Sequence, residues 1–202
     1  MIRRALWFVI VTVILLGALH EFTMRPIARS AGVLAPDAPQ QTNLSGPQAL
    51  LHIKDATLEP LAKFALTARV LSREDYHFDD GSFLSPTDLA LGWGRMSDSA
   101  VLRHINIQQG VRFYTWSVRN YPIPPREIET SSANMHMIPA DAEVTRELKR
   151  VRVGDLITLD GLLVEADRPG GWRWRSSLTR DDTGPGACEL VYVEDLTIDP
   201  RP

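Results

Sequence analysis

The stretch from Val151 to Ser177, VRVGDLITLDGLLVEADRPGGWRWRSS, restricts the fold of this chain more than any other. Val153-Gly154-Asp155 reads as a tight turn into a strand, because glycine accepts the positive φ that such turns need. Leu156 to Glu165 is apolar and interrupted only by Asp160-Gly161. A lone Gly inside a strand pattern marks a bulge or bend, the device by which a sheet curls into a small barrel. Asp167 to Gly171 predicts a reversal. Trp172 and Trp174 then share one face of a returning strand and Arg173 and Arg175 the other. The expected fold class is mainly β: a curled sheet or small OB-like or SH3-like barrel with one or two short helices, behind an N-terminal transmembrane helix. Leu156, Leu159, Leu162, Val164, Trp172 and Trp174 are expected in its core.

Residues 1–24 form a basic head followed by the uncharged run Ala5 to Leu19. A cleaved signal peptide fits the length of the run, but no good cleavage site stands close behind it. A helix extended through Phe22 just spans a bilayer, with Arg3 and Arg4 at the cytoplasmic side. Residues 1–24 are therefore read as an uncleaved signal-anchor, although Arg25 and Arg29 weaken the charge bias. Residues 5–22 would sit in the inner membrane. The body, residues 48–202, would face the periplasm, joined by a proline-rich tether over residues 25–47. Cys188 is the only cysteine, which excludes an intramolecular disulfide and a cysteine-based zinc site. A formal net charge of −3 argues against nucleic acid as a partner.

Within the body, Leu51 to Leu58 reads as a strand, Glu59-Pro60 as a turn, and Phe64 to Leu71 as a strand with Phe64, Leu66, Ala68 and Val70 on one face. Ser85 to Asp88 offers caps for a helical turn over Leu89 to Leu91, and Asp98 or Ser97 caps another through Leu102. Two strands flank Gln109-Gly110, and Asn120 to Arg126, with three prolines, reads as loop. Asp141 caps the amphipathic helix AEVTRELKRV, and Leu190 to Ile198 forms a last strand.

The segments SPTDLALGWGRMSD (85–98), SSANMHMIP (131–139) and SSLTRDDTGPGACELVYVE (176–194) resemble an uncharacterised family of membrane-anchored proteins from Gram-negative bacteria. The resemblance implies a bacterial envelope setting. It implies no activity, ligand or catalytic residue.

Several residues carry candidate chemistry. His136 between Met135 and Met137 suggests a soft-metal site, yet on a strand the methionines share a face and His136 points away. Cys188, His136 and Asn134 are the residue types of a thiol protease. The sequence, however, places neither a helix N-terminus nor a cation at the sulfur. Asp79-Asp80 and Asp181-Asp182 read as solvated turn acids, because cation sites need several converging oxygens. The Trp172/Trp174 and Arg173/Arg175 faces read as core and solvent rather than as a base-stacking surface. No phosphate loop is present.

No catalytic residue, cofactor or metal is therefore assigned, with His136, Asn134 and Cys188 kept as candidates. The expected function is that of a non-catalytic envelope protein binding an unknown partner or ligand, with an envelope protein as one such partner. The alternative is a periplasmic hydrolase with a site around Asn134, His136, the 179–188 loop and Asp79 or Asp80.

Overall fold

The computed structural model describes residues 7, 10–12, 17 and 23–201. The expected membrane helix over residues 5–22 lies outside them, apart from isolated positions. Among the described residues, no helix is long and apolar enough to cross a membrane.

From residue 40 onward the chain forms ten strands, three α-helices and one 3-10 helix. The strands are β1 (Gln40–Asn43), β2 (Leu51–Ile53), β3 (Ala56–Asp75), β4 (Thr87–Gly92), β5 (Ile105–Gly110), β6 (Phe113–Val118), β7 (Ser132–Pro139), β8 (Leu156–Arg168), β9 (Trp172–Arg175) and β10 (Glu189–Ile198). The helices are α1 (Ser99–Leu102), α2 (Pro125–Thr130) and α3 (Ala142–Arg150), with a 3-10 turn at Gly94–Ser97. The fold is mainly β, as expected.

Pairing runs β3–β4–β7–β10–β8, and β8 pairs back onto β3, so the sheet curls until its ends meet. All of these contacts are antiparallel except β7 with β10, which is parallel. The curl depends on Gly161 of β8, where an added Cβ would lie 2.0 Å from the Tyr192 carbonyl oxygen. The bulge sits opposite it, between Val193 and Asp195 of β10. Gly154 adopts φ +87 in its expected turn.

The interior is apolar. Phe64, Leu66, Ala68 and Val70 of β3 meet Leu89 and Leu91 of β4, Met135 and Met137 of β7, and Leu159 and Leu163 of β8. Helix α3 adds Val144 and Leu148 to the same cluster. Its start is the expected one, with Asp141 Oδ1 accepting from the backbone N–H of Glu143 and Val144.

Four local expectations need correction. Pro60 lies inside β3 rather than in a turn. It pairs with Val164 of β8 on one side, and on the other side it falls between the ends of β1 and β2, where no ladder needs its missing N–H. Thr87 to Gly92 is a strand, not a helical turn, and every residue in it is buried. A short apolar run buried on both faces carries no periodicity to separate strand from helix. Proline-rich 120–126 is not all loop, because α2 opens on Pro125, a position where the absent N–H is harmless. Part of the expected tether is docked. Gln40–Asn43 pairs with β3, Ile27 N–H donates to the Val153 carbonyl, and Arg29 Nε donates to the Gly154 carbonyl. Proline-rich composition forbids a helix there, but it does not prevent extended chain from lending backbone groups to neighbours.

Of the expected core, Leu159 and Val164 are buried, whereas Leu156, Leu162, Trp172 and Trp174 are half-buried. Arg173 and Arg175 are exposed and bridge to Glu165.

Candidate functional site

The strands that enclose the apolar interior carry polar residues on their outer face. On β7, Met135 and Met137 point inward, as the alternation predicts, while Ser132, Asn134 and His136 point outward. On β4, Asp88 points outward immediately before the apolar run Leu89 to Leu91, opposite His136 of β7. These outward groups are not on the surface. Asp88 is fully buried, and His136 and Asn134 are each 3% exposed. The β5–β6 hairpin, the segment 76–85 and Trp174 cover them.

Arg112 ties these parts together. Its guanidinium donates to both carboxylate oxygens of Asp79 (2.9 and 2.7 Å), to Asp88 Oδ1 (2.8 Å) and to the Ser85 carbonyl (2.9 Å). It stacks on Tyr76 with 3.8 Å to the ring centroid and faces Trp174 at 5.3 Å. Its backbone N–H donates to the Tyr76 hydroxyl, and its carbonyl accepts from Asn134 Nδ2 at 3.0 Å. Arg112 and Val111 form the two-residue hairpin turn, and both have positive φ (67° and 51°). Two-residue hairpin turns require positive φ at both central positions, a conformation uncommon for residues other than glycine, asparagine and aspartate. The sequence pattern puts the hairpin turn at Gln109-Gly110, two residues before its position at Val111-Arg112, and so misses Arg112. A lone arginine in a predicted turn carries no sequence signal for such a role.

His136 Nδ1 lies 2.9 Å from Asp88 Oδ1 without the alignment of a hydrogen bond, and its ring packs 4.5 Å from that of Trp174. Cys188 has different neighbours. Asn134 Nδ2 is 3.7 Å from its sulfur, and the thiol approaches the Arg112 carbonyl at 3.8 Å. The structure therefore brings Asn134 to Cys188, while the polar partner of His136 is Asp88. Burial, with the nearby acids Glu189, Asp88 and Asp182 adding to it, pushes the Cys188 thiol up to about 11. Asp79 and Asp80 do not act as a pair: Asp79 serves Arg112, which holds its carboxyl below the usual range. Asp181 pairs with Arg126, and Asp182 accepts from Ser177. Among the described residues, no group of three or more His, Cys, Asp or Glu is placed to hold a metal ion.

Beside this network lies a cleft of about 360 Å³. One wall is β6 from Phe113 to Trp116, the other is the 180–188 loop, and the floor is Ser132 to Asn134 with Cys188 and Glu189. The Tyr114 hydroxyl is 2.6 Å from Ser132 Oγ, which donates to the Ile128 carbonyl. Glu189, 1% exposed, meets Arg180 Nε at 3.0 Å through Oε1. Its Oε2 and Arg180 Nη1 are both buried without a hydrogen-bond partner. Burial raises the Glu189 carboxyl to about 8 despite the arginine beside it. Native proteins seldom leave buried polar atoms unpaired, so these two keep hydrogen-bonding capacity in side chains that line the cleft.

No protein-family profile, curated protein or solved structure matches the chain.

Proposed function

We propose that this chain is a non-catalytic, membrane-anchored envelope protein whose β-domain binds a ligand in the cleft between β6 and the 180–188 loop. The domain is an OB-like barrel. The circuit β3–β4–β7–β10–β8, its single parallel contact and the position of α3 between β7 and β8 support that reading. Residues 5–22 hold it in the inner membrane as a signal-anchor, and residues 48–202 face the periplasm. The basic head, the apolar run and the resemblance to envelope proteins support this placement.

The observation that carries the binding reading is the cleft itself. Its volume lies at the lower end of the range of small-ligand sites. It combines an aromatic wall with unpaired buried polar atoms and holds no activated nucleophile. A catalytic thiol needs a base or cation that depresses its pKa. Cys188 has Asn134 and a carbonyl for partners, and its pKa is raised.

The test is a fluorinated fragment screen by NMR against the full chain in detergent micelles. Ala187→Trp, which puts bulk into the cleft, serves as the control. Fragments that bind the wild type and are lost in Ala187→Trp are expected. Iodoacetamide labelling of Cys188 is expected to be slow at pH 6 and to rise about tenfold per pH unit through pH 9, because only the thiolate reacts. The rate should be unchanged in His136→Ala. Fast labelling at pH 6 that vanishes in that variant would establish the hydrolase instead.

A further inference from the structure

We infer that the cleft takes an extended peptide carrying a basic side chain, which adds as a third strand to the free edge of β6. This rests on reading the cleft as a binding site, and it adds the class of ligand.

The edge is the first observation. β5 and β6 form a sheet of two strands, and β6 pairs with nothing else. The hairpin closes on the Gly110↔Phe113 pair across a two-residue turn, so that pair exchanges its backbone hydrogen bonds. The alternate residues Tyr114 and Trp116, opposite Gln109 and Ile107, then aim their N–H and C=O groups away from β5. Four consecutive residues of β6, Phe113 to Trp116, line the cleft. Side chains of one face alone would line it at every second position, so it is the strand edge that borders the space. Strand addition to such an edge draws affinity from main-chain pairing and specificity from alternate side chains.

Charge is the second observation and selects the occupant. The lining contains Glu129, Asp182 and Glu189 against Arg180 alone. Glu189 Oε2 is buried with no partner, an acceptor at the floor of the cleft. A lysine or arginine on the incoming strand would donate to it, and an acidic peptide would meet the like charges of Glu129 and Asp182. The peptide carbonyls and the N–H groups of Tyr114 and Trp116 would pair with each other at the same time. A second copy of this chain could use the same edge, but the β6 sequence FYTWSV brings no cation to Glu189.

The experiment uses the full chain in detergent micelles and the N-acetylated, C-amidated pentapeptide TVKVT. Its comparison peptides are TVEVT, the analogue with norleucine in place of lysine, and fully N-methylated TVKVT. Binding is followed by NMR shifts of the β6 amides and by titration. TVKVT is expected to bind at least about tenfold more tightly than TVEVT or the N-methylated form, as main-chain pairing and charge complementarity require. It should weaken by a similar factor in Ala187→Trp. Glu189→Gln is expected to remove the preference for lysine over norleucine while keeping the sensitivity to N-methylation.

Equal binding of TVKVT and its N-methylated form, with fragments still lost in Ala187→Trp, would overturn the peptide and leave the cleft as a small-molecule site. Equal binding of TVKVT and TVEVT would overturn the basic side chain. A concentration-dependent dimer that shifts the β6 amides would put a second copy on the edge and also overturn the proposal. If neither peptides nor fragments respond to Ala187→Trp, the cleft reading falls with it.

Discussion

Leu89, Leu91, Met135 and Met137 fill the inside of the curled sheet, while Asp88, Asn134 and His136, on the same two strands, fill its outside. Both sets are out of water, but for different reasons. The inner set is apolar and needs only close contact. The outer set is polar, is dried by a hairpin lid, and must find partners within the protein. It finds most of them in Arg112, whose own backbone is held in an unfavourable conformation. The inside therefore supplies stability, and the outside fixes where the lid and the edge of β6 lie. Buried ion pairs seldom contribute net stability, although breaking one is costly.

The sharpest way to break this comparison is to disable each side in turn. Phe64→Ala should cost about 3–5 kcal/mol through the cavity it leaves. Asp88→Ala should cost a similar amount, about 3–5 kcal/mol, by stranding Arg112 without its buried partner. Only the second should be rescued. Asp88→Leu combined with Arg112→Met is expected to recover most of the loss in denaturant melts, because no buried charge is left unpaired and Asp79, which loses Arg112, is open to water. A double variant no better than Asp88→Ala would show that the network stabilises in its own right.

Glu189 gives a smaller, pH-dependent contrast. Its folded pKa of about 8 lies above the ordinary value of 4.5, so between those pH values the folded protein keeps a proton that the unfolded chain has released. Its contribution is complete below pH 4.5 and is lost as pH rises through 8. At about 1.4 kcal/mol per unit, stability should fall by a few kcal/mol from pH 5 to pH 9. Glu189→Gln should be flat over that range. Asp79 acts with the opposite sign. Its hydrogen bonds to Arg112 lower its pKa, so its contribution is present at neutral pH and fades on acidification below the usual carboxylate range. A wild-type curve that rises from pH 5 to 9 would reject the Glu189 assignment.

The smallest expected effect is at the hairpin turn. Val111 is 85% exposed at φ 51°, and no polar contact of the network runs through its side chain. Val111→Gly should stabilise by about 1 kcal/mol, since a β-branched residue is strained there. A loss instead would mean that the exposed valine is engaged, and the thermal midpoint decides between the two.

Much of this arrangement was legible from local patterns. Asp141 before an amphipathic run announced α3, the alternation in NMHMIP separated the methionines from His136, and Gly161 marked the bend in β8. The candidate site was only half legible. Asn134 and Cys188 do meet at the cleft, His136 belongs to a different cluster, and Arg112, Arg180 and Glu189 gave no signal. Thr87 to Gly92 was misread because three apolar residues beyond good capping residues suit either a helix or a strand.

Local sequence determined the mainly β class, the turns at Gly154 and Gly170-Gly171, the capped helix and the inward face of β7, because each depends on residues within one or two turns of chain. Tertiary structure decided which polar residues are buried, which strand edge stays open and what lines the cleft. Arg112 meets Asp79, Asp88 and the carbonyl of Ser85 across separations of 24 to 33 residues. Glu189 is buried only because the sheet closes beneath it and Arg180 folds over it. Burial and pairing at that range follow from how the sheet closes, and no periodicity along the chain encodes it.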